Sequence, residues 1–176
     1  YYTFYNSAIQ TVSLPDSVTT IDIGAFEDCS ALTSLNMPSS LETLGAKAFA
    51  GTGLTAVELP VTLTQVGDKA FYRSSLQQIT LPENLQSIGY KAFGYTGLTQ
   101  VTIPNSVTSL GECVFEGCHQ LERVTLSDQL TYIPSNAFAN TALTEVTIPD
   151  SVEFIHNAAF AYCYQLTDVT LGKNVV

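Results

Sequence analysis

The sequence predicts a β-rich solenoid, a fold in which one short unit is repeated and wound into stacked coils. The first observation is a phenylalanine that recurs at steps of 22 or 23 residues. It occupies Phe4, Phe26, Phe49, Phe71, Phe93, Phe115, Phe138 and Phe160. A leucine or isoleucine opens each unit at the same spacing, and a strand-like segment follows it. Self-similarity at this period is typical of solenoids, so we expect residues 1–176 to form one domain of about seven and a half repeats.

The strand is the first element of each unit. Its alternation of apolar β-branched and polar residues predicts that Val101 and Ile103 point inward while Gln100 and Thr102 point outward. Pro104 then ends the strand, because proline cannot donate the next hydrogen bond of a sheet. Successive units, stacked at the strand spacing of about 4.8 Å, predict a parallel sheet along one face.

The second half of each unit predicts a different element. The spacing of Val107, Leu110 and Phe115 favours a short extended or 3₁₀ segment followed by one helical turn. A glycine in this half is expected to take positive φ. It occurs as Gly45, Gly67, Gly89 and Gly111. Pro134 occupies the same position and cannot take positive φ, which leaves open either a different turn or a different role for the glycine. The phenylalanines are expected to form an interior column of stacked rings.

The return from each phenylalanine to the next leucine has two lengths. All three six-residue returns carry Cys29, Cys118 or Cys163 at the third position after the phenylalanine. The five-residue returns carry Ser7, Thr52, Ser74, Thr96 or Thr141 there. A small, weakly hydrogen-bonding group is therefore expected at this bend, with its identity tied to the loop length. We expect four free, buried or half-buried thiols, and a bridge between Cys113 and Cys118 remains a minor alternative.

Composition and motifs exclude several classes of function. The 16 acidic residues outnumber 6 basic ones, and the net charge of −10 disfavours nucleic acid as a partner. No apolar run approaches the roughly 18 residues of a membrane span. The catalytic signatures G-x-S-x-G, G-x-x-x-x-G-K and H-E-x-x-H are missing, and His119 and His156 occupy different positions of the unit. We therefore predict no enzyme, no catalytic residue, no cofactor and no metal site.

Three surface patterns allow more than one interpretation. Threonine recurs just before and within the strands at Thr33, Thr55, Thr99, Thr144, Thr167 and at Thr80, Thr102, Thr125, Thr147, Thr170. We favour β-propensity on an exposed face over an ice-binding plane, because Glu58, Glu122 and Arg123 interrupt these columns. Lysine recurs at Lys47, Lys69 and Lys91, and we expect a solvated face paired with acids. Tyr72, Tyr95, Tyr162 and Tyr164 either contact a protein or sugar or pack against adjacent loops.

The consensus of the unit is L-x-x-V-x-L-P-x-x-V-x-x-I-G-x-x-A-F-x-x-C. Segments 32–53, LTSLNMPSSLETLGAKAFAGTG, and 143–165, LTEVTIPDSVEFIHNAAFAYCYQ, carry it most plainly. This pattern resembles the BspA-like leucine-rich repeats of bacterial surface proteins. The resemblance implies a right-handed leucine-rich-repeat solenoid in an extracellular, cell-surface protein used in adhesion or in binding. It brings no residue-level binding motif. Both ends fall within a unit, so we also expect a fragment of a longer array.

Two hypotheses for function follow. The first is a non-catalytic module that binds a host or matrix protein or a glycan through the outward positions of the sheet. These positions are Thr99, Gln100, Thr102, Glu122, Arg123, Thr125, Thr144, Glu145 and Thr147. Arginine and glutamate among neutral hydrogen-bonding groups give a mixed patch, and long solenoid faces commonly bind partners. The alternative is a structural spacer that projects another domain from the cell surface.

Overall fold

A computed structural model describes all 176 residues and shows a parallel β-solenoid without helices. The strands on one face, called front strands here, are β1 Thr11–Val12, β3 Ser34–Leu35, β5 Ala56–Glu58, β7 Gln78–Thr80, β9 Gln100–Thr102, β11 Arg123–Thr125, β13 Glu145–Thr147 and β15 Asp168–Thr170. The back strands are β2 Thr20–Ile21, β4 Thr43–Leu44, β6 Gln65–Val66, β8 Ser87–Ile88, β10 Ser109–Leu110, β12 Tyr132–Ile133 and β14 Phe154–Ile155. Each coil contributes one front and one back strand, except the last, which has only the front strand β15. All paired strands are parallel.

The front face confirms the predicted strand and its orientation. Val101 and Ile103 are buried, while Gln100 and Thr102 are exposed. The front strands do not form one continuous sheet, however. They pair two at a time, as β1 with β3, β5 with β7, β9 with β11 and β13 with β15. Gaps in the hydrogen-bonding therefore separate β3 from β5, β7 from β9, and β11 from β13.

The length of the return explains most of this pairing. All three six-residue returns, those with cysteine, connect coils whose front strands pair. Of the four five-residue returns that join successive front strands, three connect coils whose front strands do not pair. The exception is the return through Ser74, which connects the paired strands β5 and β7. A return with the sixth residue is thus always followed by a front strand that pairs with the front strand of the preceding coil.

The back half of the unit is extended, as one of the two predicted alternatives has it, but the predicted helical turn is wrong. Around Phe49 the chain makes consecutive tight turns, in which Ala48 N–H donates to Gly45 O at 3.3 Å and Ala50 N–H donates to Lys47 O at 3.1 Å. The intervening amides of Lys47, Phe49 and Gly51 donate to the next coil at 2.8, 2.8 and 2.9 Å. A helix would direct every amide along its own axis, and the coils would then lose these bonds.

Positive φ occurs two residues before and two residues after each of the eight phenylalanines of the column. The first set is Tyr2, Gly24, Lys47, Lys69, Lys91, Cys113, Asn136 and Ala158, and the second is Asn6, Asp28, Gly51, Arg73, Tyr95, Gly117, Asn140 and Tyr162. Apart from Tyr2, each lies at the third position of a four-residue turn, where a type II turn requires positive φ. Most of these residues are not glycine, so packing holds the chain in a conformation that costs a side-chain-bearing residue roughly 1–2 kcal/mol.

The prediction that the repeated glycine takes positive φ is therefore wrong. Gly45, Gly67, Gly89 and Gly111 lie outside the set with positive φ. They are instead required by the close approach of neighbouring coils. A Cβ atom on Gly111 would lie 2.4 Å from the backbone carbon of Gly89 and 2.4 Å from the nitrogen of Tyr90. The Gly111 amide also donates to the carbonyl of the preceding back strand at 2.7 Å.

Pro134 occupies the position of these glycines, directly after a back strand, and shows how a proline there affects the back sheet. The amides at Gly45, Gly67, Gly89 and Gly111 join each back strand to the preceding one, with donor–acceptor distances of 2.7–3.1 Å. Proline has no amide hydrogen and cannot make this bond. The back sheet is accordingly continuous from β2 to β10 and stops there, and β12 pairs only with β14. The departure from the consensus at Pro134 thus coincides with the break in the sheet.

The predicted column of phenylalanines is confirmed. Successive rings stack with centroids 5.3–5.5 Å apart and interplanar angles of 1–17°. The rings from Phe49 to Phe138 are fully buried, whereas Phe4 is 40% exposed and Phe160 is partly buried. Each amide of the column from Phe4 to Phe138 donates to the carbonyl just before the next phenylalanine at 2.8–3.0 Å. The column therefore joins the coils through both side chain and backbone.

A second column of hydrogen bonds follows the returns. In the five-residue returns, the hydroxyl of Thr96 donates to its own phenylalanine carbonyl, Phe93 O, at 2.8 Å. In the six-residue return of the next coil, the Cys118 thiol donates to the same carbonyl at 3.1 Å and lies 3.3 Å from Thr96 Oγ1. The same arrangement recurs at Cys163. In a five-residue return the hydroxyl therefore donates to the phenylalanine carbonyl of its own coil. In a six-residue return the thiol donates to the phenylalanine carbonyl of the preceding coil.

The cysteines fit the expected structural role. All four are free thiols, and Cys29, Cys113 and Cys118 are buried while Cys163 is partly exposed. Burial raises the pKa of the Cys118 thiol to about 11. Burial, with a further contribution from Glu116, raises the pKa of Cys113 to about 11. Because the thiolate is the reactive species, neither group is poised as a nucleophile at neutral pH.

Candidate binding surfaces

The nine residues predicted to bind a partner all lie exposed on the front face. In the paired strands β9 and β11, Arg123 lies opposite Gln100 and Thr125 lies opposite Thr102. Thr99 and Glu122 immediately precede these strands. Thr144, Glu145 and Thr147 lie in or next to β13, which pairs with β15. The structure therefore divides the predicted patch between two ladders, with the β11–β13 gap between them.

The β11–β13 gap forms a groove of about 360 Å³, called the front groove here. Four of its polar lining residues are Arg123 and Thr125 from one side and Glu145 and Thr147 from the other. Asp128 lines it as well, and Val124 and Val146 contribute apolar lining. Of the nine predicted residues, these four come together in one concavity. The front groove was not predicted from the sequence. The five-residue return before β13 was a signal for it, because most returns of this length connect front strands that do not pair.

Arg123 supplies the front groove with a cation that has no carboxylate at ion-pair distance. The ion pairs of the chain join the N-terminus to Asp22, Lys47 to Glu27, Lys91 to Glu116 and Lys173 to Asp150. Glu145 and Asp128 line the same groove without an ion-pair partner. An unpaired guanidinium and unpaired carboxylates in one groove can bind a ligand that carries both acceptors and donors.

A second groove on the front face also follows a gap between unpaired strands, but it has no basic residue in its lining. It lies at the β7–β9 gap, has a volume of about 340 Å³, and includes Gln100 and Thr102 from the predicted set together with Thr80 and Glu83. The gaps also divide the threonine columns into short ladders. A continuous flat plane of threonines, which the ice-binding alternative needs, is therefore not present.

The back face carries a concavity of about 700 Å³, called the back groove here, which is larger than either groove of the front face. It extends across β4, β6, β8 and β10, whose outward residues Thr43, Gln65, Ser87 and Ser109 all line it. This surface is wide because the glycines hold the strands β2 to β10 in a single sheet. The sequence pattern did not lead us to predict the back groove. The run of neutral polar residues at one position of consecutive units was the signal that could have found it.

The lysine and tyrosine patterns meet at the edge formed by the turns around the phenylalanines. The prediction that the lysines pair with acids is confirmed for Lys47 and Lys91, whose Nζ atoms lie 2.9 Å from Glu27 and Glu116. The hydrogen bond to Glu116 raises the pKa of Lys91, and the hydrogen bond to Glu27 raises that of Lys47. Lys69 has no carboxylate partner and lies near tyrosine rings.

Two of the four tyrosines pack against neighbouring side chains, and the other two are exposed and could contact a protein or sugar. Tyr72 and Tyr95 pack edge to face, with ring centroids 5.8 Å apart. Tyr162 and Tyr164 belong to one return and are 67% and 86% exposed. The former pair is therefore part of a packed cluster on the turn edge, and the latter pair stands largely free of the solenoid.

The repeat itself can be compared with known families. The family model described as the BspA type leucine-rich repeat region matches residues 1–122 and 87–176, with six copies, and so covers the whole chain. The chain belongs to the BspA-type leucine-rich repeat family. Membership confirms the resemblance seen in the sequence. No curated protein sequence matches the chain.

Solved bacterial structures have the same fold as this BspA-type solenoid. A leucine-rich repeat protein of T. pallidum aligns with a TM-score of 0.76 and 28% identity, over 90% of this chain and 78% of that protein. A leucine-rich repeat protein of Bacteroides ovatus aligns with a TM-score of 0.69 and 26% identity, over 95% of this chain and 38% of that protein. The BspA-type chain thus spans well under half of the Bacteroides protein.

A third structure, a leucine-rich cell surface protein of Faecalibacterium prausnitzii, aligns with a TM-score of 0.50 and 19% identity. The alignment covers 95% of this chain and 80% of that protein, and at this identity it shows a shared fold alone. The BspA-type chain has no helix long and apolar enough to cross a bilayer. No three side chains of the metal-ligating types His, Cys, Asp and Glu converge into a cluster.

Proposed function

We propose that this chain is a non-catalytic binding module of a bacterial cell-surface protein, and that it binds a host or matrix protein or a glycan through the front groove. The observation that carries the proposal is the unpaired Arg123 on one wall of that groove and Glu145 on the other. Membership in the BspA-type family and the name of the Faecalibacterium protein support a location at the cell surface.

The scaffold supports this proposal by fixing the groove in advance. Val146 on the floor is buried, and the strands on both sides are held by ladders to β9 and β15. A groove on rigid strands loses little conformational entropy when a partner binds. The polar side chains can then specify the partner by hydrogen bonds and charge.

A second function, that of a structural spacer, is supported by a different observation. The stacked phenylalanines and the amide bonds between coils run through the chain from Phe4 to Phe160. Such a continuous column makes a stiff rod, which would hold an attached domain away from a surface. The spacer function needs no ligand in the front groove, so a binding experiment distinguishes it from the first proposal.

We expect the double variant Arg123→Gln and Glu145→Gln to bind its ligand roughly a hundredfold more weakly, because the two changes together remove two charge-assisted hydrogen bonds. Gln78 and Gln100 occupy the same strand position in other coils, so the substitutions suit the fold. The ligand is first identified by probing an array of glycans and matrix proteins. Affinity is then measured by titration calorimetry.

The matched control for this experiment is Asp168→Gln, which changes the same strand position on β15, outside the front groove. It is expected to leave the affinity unchanged. Equal binding by the double variant and the unmodified chain would place the site elsewhere. An array without any bound ligand would favour the spacer.

A further inference from the structure

A cluster of cationic and aromatic side chains lies on the turn edge, away from the front groove, and reaches the back groove at Tyr90. Arg73 lies over the Tyr72 ring at 5.2 Å and over the Tyr95 ring at 5.7 Å. Lys69 lies over the Tyr72 ring at 5.7 Å and over the Tyr90 ring at 5.6 Å. Cation–π contacts of this kind fix the position of a charged group without neutralising its charge.

The charge distribution makes this cluster unusual within an acidic chain. Four of the 6 basic residues lie on this edge, as Lys47, Lys69, Arg73 and Lys91, although the net charge is −10. Lys47 and Lys91 are paired with carboxylates. Lys69 and Arg73 belong to no ion pair of the chain. Two positioned cations therefore remain available to an anionic group.

Small residues create space beside these cations. In the preceding coil, Ala50 occupies the position of Tyr72 and Gly51 that of Arg73. The resulting cavity, called the notch here, has a volume of about 180 Å³. Its polar and aromatic lining consists of Glu27, Asp28, Lys47, Lys69, Tyr72 and Arg73.

The aromatic wall of the notch is held from the opposite side. A Cβ atom on Gly94 would lie 3.3 Å from the Tyr72 ring, and one on Gly117 would lie 2.6 Å from the Tyr95 ring. Each ring therefore leans over the glycine at the equivalent position of the next coil. Because the Tyr72 ring, which lines the notch, is supported in this way and also contacts Arg73, the notch has a preformed wall.

We propose that the notch binds a carboxylate-bearing sugar, such as a uronic or sialic acid residue of a glycan. The sugar carboxylate contacts Arg73 and Lys69, since guanidinium and ammonium groups are the strongest donors to carboxylates. The apolar face of the sugar ring packs on Tyr72. Sugar hydroxyls donate to the exposed carboxylate of Asp28.

The lining favours a sugar over an acidic peptide. Asp28 accepts hydrogen bonds from hydroxyl groups, and Asp28 and Glu27 both repel additional carboxylates, so a run of acidic side chains is disfavoured. The notch also has room for about one sugar ring and is smaller than the roughly 300 Å³ at which pockets for larger organic ligands begin. The site is separate from the front groove, so this inference does not depend on the proposed function.

The test uses ligand-observed NMR and titration calorimetry with three kinds of probe. The acidic probes are methyl glucuronide and N-acetylneuraminic acid. The neutral probe is methyl glucoside, which differs from methyl glucuronide by the carboxylate alone. A glutamate tetrapeptide is the third probe. We expect at least one acidic sugar to bind, with an affinity at least about tenfold above that of the neutral sugar, because a charge-assisted contact is lost in the latter.

The variants are chosen from residues that other coils carry at the same positions. Arg73→Asn follows Asn140, Lys69→Asn follows Asn136, and Tyr72→Ala follows Ala139, so the turns with positive φ are retained. Each is expected to weaken binding of the acidic sugar by about tenfold. Lys173→Asn, which removes a cation that lines neither the notch nor the front groove and follows Asn105 of another coil, is the control that leaves this affinity unchanged. Thermal melting verifies that every variant is folded.

Two results would overturn the proposal. One is the failure of both acidic sugars to bind, and the other is equal affinity for methyl glucuronide and methyl glucoside. In the first case, binding of the glutamate tetrapeptide that is lost in Arg73→Asn would assign the notch to acidic peptides.

Discussion

Replacement of Phe93 by alanine is expected to lower the free energy of unfolding by about 3–5 kcal/mol, the usual cost of removing a fully buried phenylalanine ring. Phe93 is 0% exposed and stacks on Phe71 at 5.5 Å and on Phe115 at 5.4 Å. The substitution removes both contacts and leaves a cavity in the middle of the column. Because each coil contacts only its neighbours, no distant part of the chain can fill it. Chemical denaturation measures the change.

Phe4→Ala is the matched control for this prediction. The Phe4 ring is 40% exposed and stacks on one ring, that of Phe26. Removal of the ring is expected to lower the free energy of unfolding much less. The Phe4 ring buries less apolar surface, and its loss leaves no enclosed cavity. A loss below about 1 kcal/mol for Phe93→Ala would show that the ring is not buried as described.

Gly111→Ala is expected to cost about 1–3 kcal/mol or more, the range for overpacking a filled site. The new Cβ would lie 2.4 Å from backbone atoms of Gly89 and Tyr90 in the preceding coil. Backbone cannot move aside as a flexible side chain can, so the two coils must separate. Separation also strains the hydrogen bond from the Gly111 amide to Ile88 O. Denaturant titration of the variant and of the unmodified chain gives the difference.

Gly97→Ala is the control substitution, because it adds the same methyl group where there is space. The nearest atom, Leu76 O, would lie at 3.4 Å, an ordinary contact, and Gly97 does not have positive φ. This variant is expected to be neutral or slightly stabilised, since alanine restricts the unfolded chain more than glycine does. Equal effects of the two substitutions would contradict the close approach of the coils at Gly111.

The period of the sequence was sufficient to predict the coils and their core. Phe93 and Leu98 recur at fixed steps because every coil must place an apolar group at the same point of the interior. Alternation in β9 likewise predicted which side chains face outward. These features depend on the burial of apolar groups, which a single sequence displays directly as periodicity.

The turns could not be predicted in the same way, because their conformation is imposed by neighbouring coils. Lys91 and Tyr95 take positive φ although neither residue favours it, since their turns direct the intervening amides to the next coil. Gly111 looked like a turn residue, and its role emerged only when the backbone of Gly89 was placed beside it. Pro134 was the one sequence signal against the first interpretation.

The candidate binding surfaces were predicted in part. Arg123 and Glu145 were identified as outward residues, but the front groove between them depends on which strands pair. That pairing follows from small differences in coil alignment, to which the return lengths are the only clue in the sequence. The notch could not be predicted from the sequence, because it combines Tyr72 and Arg73 with the small residues Ala50 and Gly51 of another coil.

The central claim of this account is that the phenylalanine column, with its backbone bonds between coils, is the stable core of the solenoid, although it lies in turns. Native-state hydrogen exchange of individual amides tests this most directly. The amides of Phe49, Phe71 and Phe93, each bonded to the next coil, are expected to exchange in the slowest class. Exchange as fast as that of the exposed amides of Glu83 and Asn84, which donate no backbone hydrogen bond, would contradict the claim.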